Sequence, residues 1–82
     1  MEYKGYRIYI RTHRDNDTII GTYWIKHIAT KEEVERKVIT YDIKLHLELV
    51  EKNLINVAKK SIDNTLRTAD VIKALLSTNL EG

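Results

Sequence analysis

The residues that could carry chemistry are few. His13, His27 and His46 are the candidate proton carriers and metal ligands. None has a second histidine four residues away, the spacing that lets two imidazoles on one helical face share a metal. A zinc site needs at least three protein ligands at about 2.0–2.2 Å. The expected hairpin puts His13 and His27 at opposite ends and on different faces. Ser61 and Ser77 are the two serines, both on the helical stretch. Ser61 sits beside Lys59-Lys60, but a Lys59–Ser61 pair is not formed on a helix, where residues two apart do not face each other. Glu32-Glu33 reads as a solvated charge run, and Asp15 with Asp17 as turn chemistry. Gly5, Gly21 and Gly82 are isolated, so there is no glycine-rich phosphate loop. The expectation is no catalytic residue, no metal, no cofactor and no enzymatic activity.

A second kind of chemistry is recognition. Arg7, Tyr9, Arg11, Trp24 and Lys26 fall together on one face of the expected hairpin. Rings flanked by cations on an open sheet can stack bases and hold phosphates. The same pattern also stabilises a sheet through cross-strand aromatic pairs and cation–π contacts. Nucleic-acid binding on this face is therefore the alternative reading. Lys52, Lys59, Lys60, Arg67 and Lys73 make part of the helix basic, but Glu48, Glu51, Asp63 and Asp70 interrupt it. That pattern reads as a solvated face.

These side chains are positioned by two kinds of element. Residues 3–13 alternate, with Tyr6, Ile8 and Ile10 on one face and Arg7, Tyr9, Arg11 and His13 on the other. This period of two, rich in β-branched and aromatic residues, predicts a strand. The Arg14-Asp15-Asn16-Asp17-Thr18 cluster predicts a turn, and residues 19–28 a returning strand. A loop centred on Asn16-Asp17 puts Ile8 opposite Ile25, Ile10 opposite Tyr23 and Tyr9 opposite Trp24. A slip of one residue would turn Trp24 into the core. Residues 29–37 form a charged connector. It reads either as a solvated loop or as a helical turn capped by Thr30 and Glu33. From Lys37 the alternation of Ile39, Tyr41, Ile43, Leu45 and Leu47 predicts a third strand, which yields to helix near residues 46–49.

The longest periodic segment follows. Leu54, Ala58, Ile62, Leu66, Ala69, Ile72 and Leu76 recur at steps of three and four, the stripe of an amphipathic helix. Leu54, Ile55, Ala58, Ile62 and Leu66 are expected on the sheet, with Lys52, Lys59, Lys60 and Asp63 in solvent. The poor helix formers of Asn64-Thr65-Leu66-Arg67-Thr68 mark a place where the helix either bends or breaks, with Thr68 as a second N-cap. A helix over about residues 50–77 is roughly 40 Å long, whereas ten-residue strands span roughly 33 Å. Val71, Ile72, Leu75 and Leu76 then overhang the sheet and call for a partner. If the helix breaks, they fold back and are buried.

Composition frames this reading. Eighty-two residues make one small domain. A core of this size is close to needing extra support. The chain has no Cys, so disulfides cannot supply that support, and no Pro. At 43% hydrophobic and 32% charged it reads as globular. A net charge of +2 permits nucleic-acid binding without demanding it. No apolar run approaches a membrane span, and no signal peptide is read at the N-terminus. A cytoplasmic location is the default expectation. The closing Leu80-Glu81-Gly82 is set aside from the fold reading.

Tyr3-Lys4-Gly5-Tyr6, Gly21-Thr22-Tyr23 and Ala58-Lys59-Lys60-Ser61-Ile62-Asp63 carry a resemblance over about three-quarters of the chain. In these segments it resembles small uncharacterised bacterial domains built of a hairpin, a third strand and a helix. The outline is also similar to HicB-like antitoxin domains, although their Pro- and Gly-containing segment before the helix is absent here. The resemblance implies a fold and no catalytic residue. The combined expectation is an α+β domain over residues 1–82, a three-stranded antiparallel sheet on one long C-terminal helix. Its expected role is binding or assembly, as a homodimer formed through Val71, Ile72, Leu75 and Leu76.

Overall fold

The computed structural model describes residues 1–81, with side chains described for residues 1–76. Gly82 therefore lies outside the described residues, as do the side chains of Ser77, Leu80 and Glu81. The chain forms β1 (Glu2–Tyr3), β2 (Tyr6–Asp15), β3 (Thr18–His27), β4 (Glu33–Asp42) and α1 (Leu47–Glu81). The strands make one antiparallel meander in the order β1-β2-β3-β4, with the helix on one face. The class is α+β as expected, with four strands where three were predicted.

The extra strand arises from a turn that the alternation hid. Lys4 and Gly5 both have positive φ, at 49° and 87°. That is the requirement of a two-residue hairpin whose twist matches its strands. Tyr3 pairs with Tyr6 across it, and Glu2 with Arg7. At the next turn Asn16 takes φ 52°, and the loop is only Asn16-Asp17. The register is the favoured one: Ile8 opposite Ile25, Tyr9 opposite Trp24, Ile10 opposite Tyr23.

β4 is displaced from its predicted span. It starts at Glu33, inside the charged connector, and ends at Asp42 rather than near Leu47. No helical turn forms at Thr30, whose hydroxyl accepts instead from the Glu32 amide at 3.3 Å. A register shift opposite Ile25 and Lys26 lets the strand pass Val34. The strand stops because Asp42 closes a turn: its carboxylate accepts from the Lys44 amide at 2.9 Å, and its carbonyl from the Leu45 amide at 3.1 Å. The apolar alternation of Ile43 and Leu45 is therefore a turn, not strand.

α1 is one continuous helix of 35 residues, or about 52 Å. It does not break near Thr68. Thr65 and Thr68 donate their hydroxyls back to the carbonyls of Ser61 and Asn64, at 3.0 and 2.8 Å. A hydroxyl satisfied within the helix in this way is not available to start a new one. Its core stripe is Val50, Leu54, Ala58 and Ile62, packed on Ile8, Ile19, Tyr23 and Ile25. α1 lies chiefly over β2 and β3, and β4 reaches the core through Ile39 and Tyr41. A helix about 10 Å wide spans two strands spaced about 4.8 Å apart, not three. The molecule is accordingly elongated, 59 × 23 × 16 Å.

Asp63 was expected in solvent. It instead fastens the first hairpin to α1. Tyr3 Oη donates to both carboxylate oxygens at 3.1 and 3.0 Å, and Lys4 Nζ reaches Oδ1 at 2.7 Å. The ammonium of Lys4, more than any other group, holds the Asp63 carboxyl below its usual range. Lys59, also expected in solvent, lies over the Tyr3 ring at 5.2 Å.

Candidate interaction surfaces

Two surfaces carry the side chains singled out by sequence. The first is the outer face of the sheet. β2 and β3 bring Tyr9 and Trp24 into a parallel stack, with ring centroids 5.4 Å apart and planes 9° from parallel. Lys26 Nζ sits 5.8 Å from the Tyr9 ring centre. Arg36, from β4, sits 5.3 Å from the Trp24 ring centre. Arg36 was not among the expected residues, because its segment read as connector; its register opposite Trp24 could only follow from pairing. Arg36 is also tied to Glu33, and Arg7 to Glu2, at 2.7 and 2.8 Å. Arg11 and Lys26 take part in no ion pair among the described residues.

The rings of this face are thus engaged with each other and with cations of the same sheet. At one end a cleft of about 260 Å³ opens between Arg7, Tyr9, Lys26, His27, Ile28 and Lys31. His27 is turned toward Tyr6, edge to face at 5.2 Å. His13 lies at the far end of the hairpin, opposite Ile20. Among the described residues no group of three His, Cys, Asp or Glu side chains converges as a metal site would require.

The second surface is the free end of α1. Val71, Ile72, Leu75 and Leu76 are 53%, 52%, 60% and 58% exposed. Above them the helix is covered by the sheet; beyond Leu66 it has outrun it. Helical projection at 100° per residue puts Asn64, Thr65, Thr68, Ala69, Val71, Ile72, Leu75 and Leu76 on one side, without a charge among them. Arg67, Asp70 and Lys73 lie on the other side.

The uncharged side runs into a groove of about 640 Å³ between α1 and the inner side of β4. Its helical wall runs from Val57 to Ile72 and includes Lys60, and Glu35 and Lys37 form its sheet wall. At its floor the buried Tyr23 donates to Glu35 Oε2 at 2.7 Å. Burial first, and then the neighbouring carboxylate, hold this phenol well above its ordinary range. It is a neutral donor at physiological pH. No helix of the described residues is long and apolar enough to cross a membrane. Comparison with protein-family models, with curated proteins and with solved structures gave no match.

Proposed function

We propose that this protein is a small assembly domain that binds a second copy of itself through the C-terminal half of α1. One observation carries the reading: a continuous helix extends past its sheet and exposes four large aliphatic side chains, each by more than half. Contiguous exposed apolar surface of this kind is often functional. Assembly then supplies the support that an 82-residue chain without cysteine lacks. The domain would assemble in the cytoplasm, and no catalytic step is part of the proposal.

Sedimentation velocity at tens of micromolar tests it. A dimer is expected for the wild type and a monomer for Leu75→Asp. The substituted side chain is already exposed, so the helical circular dichroism of the monomer should be kept. A wild-type monomer under these conditions would sink the proposal.

A second reading is favoured by the positive charge around Tyr9 and Trp24. Arg7, Arg11, Lys26 and Arg36 would hold the phosphates of a single-stranded nucleic acid, with ring edges rather than open ring faces toward the bases. Trp24, the only tryptophan, reports on it directly. Its emission should change on adding single-stranded RNA, with affinity falling as salt rises. An unchanged spectrum at low salt removes this reading.

A further inference from the structure

We propose that the cleft at the end of the sheet's outer face is a binding site for the phosphate group of a small phosphomonoester. The inference goes beyond both readings above, since it needs neither a second copy nor a polymer. The first argument is charge. Arg7, Tyr9, Lys26, His27, Ile28 and Lys31 line the cleft, with three permanent cations and no carboxylate among them. Arg7 and Lys26 stand directly opposite each other in the β2–β3 register. Like charges in that relation destabilise a sheet, and an anion held between them reverses the effect. The neighbouring carboxylates do not. Glu33 stands opposite Lys26 on β4, but its Oε1 accepts from Arg36 Nε and Nη2, at 3.0 and 2.7 Å. Glu2 accepts from Arg7 Nη2 at 2.8 Å, which engages one nitrogen of the guanidinium fork. Lys26 and Lys31 take part in no ion pair among the described residues.

The second argument is the backbone of Lys31. Its φ is 62°, a left-handed conformation that glycine adopts freely and lysine does not. The residue closes the loop between β3 and β4. Its amide donates to the His27 carbonyl at 2.8 Å, and the His27 amide donates to the Glu32 carbonyl at 2.9 Å. A glycine would close the same loop without strain. Lys4 and Asn16 share the conformation, but the Lys4 ammonium is bonded to Asp63, and Asn tolerates it in a turn. Neither account holds for Lys31, whose side chain adds the third cation to the cleft. Strain of this kind clusters at ligand-binding sites. The loop is also anchored, because the Ile28 amide donates to the Gly5 carbonyl at 3.1 Å.

The third argument is the size and charge of the ligand. Pockets that enclose whole small molecules run from about 300 Å³ upward. A cleft of about 260 Å³ is sized for the charged end of a ligand, with the remainder outside, beside Tyr9 and Ile28. A phosphomonoester carries about −1.5 to −2 charge at neutral pH and presents several strong acceptor oxygens. Arg7, Lys26 and Lys31 match that charge more closely than they match a carboxylate or a phosphodiester, each of which carries a single charge. Arg7 adds a planar fork suited to two phosphate oxygens at once.

Inorganic phosphate and methyl phosphate are the probes, titrated into the isotope-labelled wild-type protein at fixed ionic strength and followed by amide chemical shifts. The amides of Lys26, His27, Ile28 and Lys31 should shift and saturate with both, and chloride at the same ionic strength should not move them. Lys31→Gly keeps the loop and removes the cation. Its Tm without ligand should stay close to that of the wild type, because the strain relieved in the fold offsets the freedom gained by the unfolded chain. Its affinity for methyl phosphate should nevertheless fall by about threefold to tenfold, the loss of one charge-assisted contact at a partly exposed site. Unchanged affinity in that variant, or no saturable shift with either probe, overturns the site. Dimethyl phosphate, a diester, should bind more weakly than methyl phosphate. Equal binding of the two overturns the monoester assignment and leaves the nucleic-acid reading standing.

Discussion

Gly21 shows how closely the residues of this core are fitted. A methyl group added there would meet Tyr41 Cε2 at 2.9 Å and the two methyls of Leu54 at 3.0 and 3.1 Å. Leu54 is fully buried and cannot retreat. Tyr41 is held by its hydroxyl, which donates to Asn53 Oδ1 at 2.6 Å. Gly21→Ala is therefore an overpacking change, expected to destabilise by about 1–3 kcal/mol in urea unfolding. A loss below about 0.5 kcal/mol, the level of an ordinary surface change, would show that β4 moves aside freely. A glycine inside a strand marks either a bulge or a close backbone approach. The structure decides for close approach, since the β2–β3 and β3–β4 pairings both run through it without interruption.

At the scale of elements, the first hairpin and α1 are fastened by Tyr3, Lys4 and Asp63. The Asp63 carboxyl is depressed in the folded state, first by its hydrogen bond with Lys4. Its contribution is present above the unfolded carboxyl value of about 3.9 and is lost as pH falls through the lower folded value. Lys4 is raised by the same bond, so its contribution is present below the unfolded ammonium value and lost as pH rises through the higher folded one. The fastening is complete between these ranges. The protection of the β1 amides relative to their intrinsic exchange rates should fall on acidification below about pH 4. Asp63→Asn should show low protection already at neutral pH and lose that acid step. An identical acid profile in the two proteins would rule Asp63 out as the cause. This connection joins residues 60 positions apart, which explains why periodicity filed Asp63 among the solvent-facing residues.

For the whole molecule the question is how one helix serves a sheet too wide for it and too short for it. The helix packs chiefly on β2 and β3, and its free end leaves Val71, Ile72, Leu75 and Leu76 exposed. The self-association proposed above would cover the exposed end of α1. The sedimentation comparison of wild type with Leu75→Asp belongs to this scale, because it asks whether the elongated monomer is the complete unit. Mass action adds a corollary: the wild-type Tm should rise with protein concentration, and that of the variant should not.

The sequence by itself determined the class, the hairpin register and the helix, because each rests on local period: two residues for Ile8, Ile10, Tyr23 and Ile25, and three to four for Leu54, Ala58 and Ile62. It also placed Tyr9 opposite Trp24, since a turn at Asn16-Asp17 leaves no other pairing. Only the tertiary structure decided what depends on contacts distant in the chain or on turns invisible to hydrophobicity. The Lys4-Gly5 turn made a fourth strand out of an unbroken alternation, and the Asp42 turn ended β4 before its pattern did. Pairing with β3 drew the charged connector into the sheet and put Arg36 over Trp24. The threonine hydroxyls settled the continuity of α1 by bonding inward. Where the helix lies across the sheet is set by which side chains fill the space between them, and that placement leaves the end of α1 open.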